Sequence, residues 1–107
     1  MRGGRRPPTS QAKSPAVQDR ERQAILHRDF RNDLTYWIGS DPRIALRVMK
    51  LVEEVLRAPF AGIGKPEPLR HSLRGEWSRR ITDHHRMEYV VSSLGIQFIR
   101  ARSHYQR

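Results

Sequence analysis

At 107 residues without a cysteine, the chain has room for one domain with a modest core, and neither a disulfide nor a thiolate-bound metal is open to it. Its 21 Lys and Arg against 11 Asp and Glu give a formal charge of +10, which favours a polyanionic partner such as nucleic acid or an acidic protein. No apolar run approaches the roughly 20 residues that span a bilayer, and the basic N-terminus lacks the apolar stretch of a secretory signal, so a soluble cytoplasmic protein is expected.

Residues 1–21 hold three of the seven prolines, five Lys and Arg, two acids and almost no large apolar side chain. Such a segment buries too little surface to offset its ordering entropy, and a disordered basic extension is expected. Residues 22–107 keep 16 basic against 9 acidic residues, a net +7, so most of the charge belongs to the folded domain. There "QAILHRD" (23–29) reads as a short first strand. From Asp29, the apolar residues Phe30, Leu34 and Trp37 fall at i, i+4 and i+7, one face of a helix ending near Gly39. Asp41-Pro42 supplies a helix cap followed by proline at the first helical position, and Ile44, Val48, Leu51, Val52 and Val55 carry a second helix to Ala58-Pro59.

Beyond Pro59 the pattern becomes that of strands: "PLRHSL", "WSRRIT", "MEYVV" and "GIQFIRARS", joined by polar links at Arg74-Gly75, Asp83-His84-His85 and Ser92 to Gly95. Two helices followed by an antiparallel meander give an α+β fold, with the helices on one sheet face and much of the positive charge on the other. Between helix and meander, "PFAGIGKPEP" is a loop by its glycines and prolines. In it Glu67 is held between Pro66 and Pro68, which restrict the backbone on both sides. "GIGK" is not a phosphate loop, because Pro59 and Pro66 stand where glycine and Ser/Thr are required. The adjacent His84 and His85 read as a hairpin turn rather than a metal site, since adjacent side chains in a turn diverge.

Arg86 opens a strand after the "DHH" turn, and His104 and Tyr105 follow the last strand, so antiparallel pairing is able to bring these ends together with Glu67. Cleavage of RNA without a metal needs a base for the 2′-OH, an acid for the departing 5′ oxygen and cations around the phosphorane-like transition state. Glutamate, histidine and arginine suit those tasks, and a tyrosine can stack on a base. Lys65, Arg70, Arg79 and Arg80 are candidate RNA contacts, although neighbours such as Arg79 and Arg80 cannot both face one side of a strand. Taken singly, each of these residues is equally compatible with an ordinary solvated surface.

The block "PFAGIGKPEPLRHSLRGEWSRRITDHHRMEYVV" closely resembles the YoeB (Txe) toxins of the RelE superfamily, whose hallmark is P-F-x-G-x-G-K-P-E-P-L followed by G-x-W-S-R-R-I and H-R. The resemblance runs from about residue 22 to Tyr105. It implies a RelE-like domain over 22–107 and a ribosome-dependent endoribonuclease that cuts messenger RNA without a cofactor. It also implies inhibition by a cognate acidic antitoxin of the YefM or Phd type, with a homodimer among the possible assemblies. The family's catalytic base falls on Glu67, its transition-state arginine on Arg86, its acid on His104 and its tyrosine on Tyr105. A rival reading of the same residues is a non-catalytic module that only occupies the ribosome or the antitoxin. Residues 1–21 have no counterpart in the family, and a reading frame extended upstream of a start near Val17 would account for them. Other departures are Glu88 at a position more often apolar, "ARS" before His104, and Gln106-Arg107 after the usual ending.

Overall fold

Asp41 and Pro42 start the longest helix as their chemistry requires. The Asp41 carboxylate accepts from Arg43 N–H at 3.3 Å, and proline occupies the first turn, where its missing donor costs nothing. In this computed structural model, which describes residues 22–103, that helix is α2 (Pro42–Arg57). It is preceded by β1 (Ala24–Leu26) and α1 (Arg28–Ser40), and followed by β2 (Glu67–Pro68), β3 (Glu76–Arg80), β4 (Arg86–Ser92) and β5 (Gly95–Arg100). The extension 1–21 and the residues His104 and Tyr105 lie outside the described residues. No described helix is long and apolar enough to cross a membrane.

The five strands form one sheet in the order β1-β5-β4-β3-β2. The meander from β2 to β5 is antiparallel as expected, but β1 joins β5 in parallel, with Ala24 opposite Ile96 and Leu26 opposite Phe98. The parallel edge follows from the two intervening helices, which carry the chain across the sheet before it returns. Gly95 permits the close approach: its φ is +141°, and a side-chain carbon there would lie 2.5 Å from the Gln23 carbonyl.

The strand expected over "PLRHSL" shrinks to its first residue, since β2 comprises only Glu67 and Pro68. After Leu69 N–H bonds to Glu76 C=O, His71 turns into the left-handed region (φ 63°) and the Ser72 hydroxyl accepts from Arg74 and Glu76 N–H. A side-chain hydroxyl that satisfies turn amides competes with a ladder, and here it wins. The last strand also ends early, at Arg100, because the next residues bond to α1 instead.

Both helices lie on one sheet face. Phe30 and Trp37 of α1 and Val48, Leu51, Val52 and Val55 of α2 pack with Met87, Tyr89, Ile96 and Phe98 of the strands. Large core side chains of this kind typically cost about 2–5 kcal/mol each when truncated to alanine. The register places Ser78, Arg80, Arg86 and Glu88 on the opposite face. A bulge between Glu88 and Tyr89 sets Glu88 opposite Arg100 and Tyr89 opposite Phe98, making Ile99 the extra residue. That bulge turns Arg100 to the Glu88 side, where the two form an ion pair at 2.5 Å. Glu88, unusual beside an apolar expectation, therefore has a cation beside it.

Candidate functional site

Strand register brings Glu67 and Arg86 together. Glu67 pairs with Ser78 across β2 and β3, Ser78 pairs with Glu88 across β3 and β4, and Arg80 lies directly opposite Arg86. Arg86 reaches back along this face: its Nε donates to Ser78 Oγ at 3.0 Å, and its Nη2 stands 3.5 Å from Glu67 Oε1. The carboxylate is the outer member of the pair, with its side chain 60% exposed against 29% for Arg86. Arg86 Nη2 is shielded from solvent and makes no well-formed hydrogen bond, so the contact with Glu67 is electrostatic and leaves donor capacity unused. Arg80 adds a second guanidinium directly opposite the first. Like charges in that position repel unless an anion lies between them, so this end of the sheet is suited to a phosphate.

Lys65 and Arg70 are both exposed, Lys65 just before Pro66 and Arg70 in the turn beyond β2. Lys65 adopts a positive φ of 51°, and the preceding Gly64 accepts from Arg80 N–H at 2.6 Å, which ties the loop to the basic end of β3. Arg79 is a correction. Its place on β3 beside Trp77 and Ile81 faces the helices, and the side chain is 0% exposed, so it is not available to RNA. Its guanidinium donates instead to the carbonyls of Ala58, Ala61 (2.7 Å) and Ile63 (3.0 Å) and to the Tyr89 hydroxyl (3.3 Å). The Tyr89 hydroxyl in turn donates to Pro59 C=O at 2.6 Å, and burial raises the Tyr89 phenol above its ordinary value of 10.0 although Arg79 opposes the shift.

The chain leaving β5 is fastened close to Arg86. Ala101 N–H donates to the buried Asp33 carboxylate at 3.0 Å and Ala101 C=O accepts from Trp37 Nε1 at 2.9 Å. Arg102 lies over the Tyr36 ring, 3.7 Å from its centre. Ser103 then bridges: its N–H donates to His85 Nδ1 and its hydroxyl accepts from Arg86 N–H, both at 3.1 Å. The "ARS" before His104 is thus the part held between α1 and the start of β4. His84 and His85 form the expected turn, in which the Thr82 hydroxyl accepts both of their N–H groups at 3.1 Å. The His85 ring meets Trp37 edge-on at 4.9 Å. Ser78, Tyr89, His85 and Ser103 were not singled out from the sequence as parts of the site. Strand alternation was the available signal for Ser78 and Tyr89, while nothing local pointed to Ser103.

A model of the YoeB-like toxin of bacterial type II toxin-antitoxin systems matches residues 26–105. Toxin YoeB of Mycobacterium bovis is 44% identical over 77 residues, covering 72% of this chain and 91% of that protein. Toxin YoeB of Escherichia coli is 45% identical over 74 residues, covering 69% and 88%. Among solved structures, a YoeB/ParE toxin from Agrobacterium tumefaciens is 39% identical with a TM-score of 0.72, over 78% of this chain and 99% of that one. A YoeB dimer from Staphylococcus aureus superposes with a TM-score of 0.73 at 29% identity, over 80% of this chain and 100% of that one. The YoeB-YefM complex from the same organism gives 0.70 at 28% identity with the same coverage. The chain belongs to the YoeB-like toxins of bacterial type II toxin-antitoxin systems.

Proposed function

We propose that this toxin is a ribosome-dependent endoribonuclease that arrests translation by cutting messenger RNA in the cytoplasm, with side chains as its acid and base. The observation that carries the reading is the Glu67–Arg86 pair on the open sheet face, 3.5 Å apart and flanked by Arg80. Glu67, the exposed member, takes the proton of a 2′-OH as that oxygen attacks the adjacent phosphorus. Arg86, with Nη2 lacking a well-formed hydrogen bond, donates to the phosphate oxygens on which charge grows. His104 supplies a proton to the 5′ oxygen as its bond to phosphorus breaks, leaving a 2′,3′-cyclic phosphate and a 5′-OH. Tyr105 stacks on a base, and Lys65, Arg70 and Arg80 hold neighbouring phosphates. Support for the role of His104 comes from the residue before it, Ser103, whose hydroxyl accepts from Arg86 N–H at 3.1 Å.

The formal charge of +10 suits both an RNA-rich ribosome and an acidic YefM-like antitoxin, and the solved relatives support antitoxin capture and a homodimer as assemblies of this chain. Primer extension on a reporter message in a reconstituted translation system tests the assignment. Wild-type protein is expected to cut within the decoding-site codon, and Glu67→Ala and His104→Ala are each expected to slow cutting by about 10²–10⁴-fold, the usual worth of a general base or acid. Arrest without cuts would show a toxin that acts by occupying the ribosome and would overturn the nuclease assignment.

A further inference from the structure

We propose that Arg79 is a positioning residue for this reaction, a buried peg that shapes the loop leading into Glu67 and β2; the proposal rests on Glu67 being the base. Five donors in a planar fork are an unusual thing to place at 0% exposure. Here the fork is spent on the loop: Nη2 on Ala58 and Ala61 C=O, Nη1 on Ile63 C=O at 3.0 Å, and Nε on the Tyr89 hydroxyl, which itself holds Pro59 C=O. Four carbonyls within six residues thus converge, directly or through one phenol, on one side chain. The loop is also built around the body of Arg79. Gly64 sits at φ +84° with the place of its missing side-chain carbon 3.2 Å from Arg79 Cβ, Arg80 C=O and Leu51 Cδ2. Its own carbonyl accepts from Arg80 N–H at 2.6 Å.

From Gly64 only Lys65 and Pro66 separate this anchored stretch from Glu67, and Pro66 restricts the backbone between them. The other tether of Glu67 is a two-residue strand pairing at the sheet edge, which fixes its register but leaves the approach of the chain to the loop. Released from Arg79, the loop would still hang from β3, yet the carboxylate would lose its set direction toward Arg86. A misplacement on the order of 1 Å far from the reacting atoms costs about 100-fold in rate. Lysine cannot substitute, since an ammonium offers a point charge where four acceptors are served by the three nitrogens of a fork.

The test compares Arg79→Lys with wild type in single-turnover cleavage of ribosome-bound message, at a temperature where circular dichroism shows both folded. The rate at saturation is expected to fall by about 100-fold, with the half-saturating ribosome concentration within about threefold of wild type, whereas a role in RNA binding would raise that concentration. Amide exchange is read on the same samples. The amides of residues 60–65 are expected to exchange faster in Arg79→Lys while β4 and β5 keep their protection. Arg43→Ala, which removes an exposed guanidinium elsewhere, controls for lost charge and is expected to cleave as wild type. Wild-type cleavage by folded Arg79→Lys overturns the proposal. Should that variant not fold, Tyr89→Phe carries the same comparison, because it keeps the ring and removes only the hydroxyl between Arg79 and Pro59; an unchanged saturating rate then overturns it. Glu67→Ala run alongside separates the two ideas: if it cleaves normally the assignment of the base fails, while the exchange data still report whether Arg79 orders the loop.

Discussion

Tyr89 carries polar chemistry into the core beside Arg79. Its ring stacks obliquely on Phe98, 6.2 Å between centres, while its hydroxyl donates to Pro59 C=O and accepts from Arg79. Replacing it with phenylalanine keeps the packing but leaves a buried carbonyl and a guanidinium short of a partner, so Tyr89→Phe is expected to lose about 1–3 kcal/mol in urea denaturation at neutral pH. The pH dependence has a definite sign. Burial raises the phenol above 10.0 in the folded state, which favours the neutral form, so its contribution is complete below the unfolded value and is lost as pH rises from about 10 through the folded value. The gap in stability between wild type and Tyr89→Phe should therefore narrow above pH 10; a gap that stays constant there would show that the phenol is not held neutral by the fold. Arg79 and Arg80 show what was legible at this scale. Both are basic neighbours in one block, and alternation alone says that they face opposite ways. Which of the two is buried depended on the strand's register against α2, which no local pattern carries.

At the scale of elements, the signals with a local mechanism were readable and those made by tertiary bonds were not. Asp41-Pro42 starts α2 because a carboxylate and a proline suit a helix start wherever they stand. The two prolines around Glu67 marked a constrained carboxylate, but the structure places it in β2 rather than in the expected loop, because Glu67 pairs with Ser78 of β3, and the contact with Arg86 follows from that register. The failure at "PLRHSL" came from a Ser72 hydroxyl that serves turn amides in place of a ladder. The early end of β5 came from α1, whose Asp33 and Trp37 take both main-chain groups of Ala101. This gives α1 a second duty beyond covering the sheet, since it fixes the exit that leads through Ser103 to His104. Trp37→Phe tests that duty. It removes one buried hydrogen bond while keeping an aromatic ring, with an expected cost of about 1 kcal/mol in denaturant midpoint experiments, and cleavage is expected to slow although Glu67 and Arg86 are untouched. Loss of stability with full cleavage would show that the fastening of Ala101 to α1 does not bear on the reaction.

Charge acts at the scale of the whole molecule. Of the formal +10, +7 belongs to residues 22–107 and +3 to residues 1–21, so the two segments can be weighed separately against a polyanion. Contacts with phosphates release counterions, and the logarithm of affinity falls linearly with the logarithm of salt in proportion to the phosphates neutralised. Lys65, Arg70 and Arg80, the cations proposed to hold phosphates, lie in the 22–107 segment. A chain beginning at Arg22 is therefore expected to keep the melting temperature and the site of cleavage, because the core cluster is built from residues between Phe30 and Ala101. If the extension only solvates the protein, ribosome binding measured from 50 to 300 mM salt will give the same slope with and without it. If it acts as a basic arm on RNA, its removal will shallow the slope by up to about its five cations' worth. Arg80→Ala, by contrast, is expected to shallow the slope by about one contact in either chain. An unchanged slope for Arg80→Ala would place the phosphate away from the paired guanidinium groups, and with it the substrate path across the open face of the sheet.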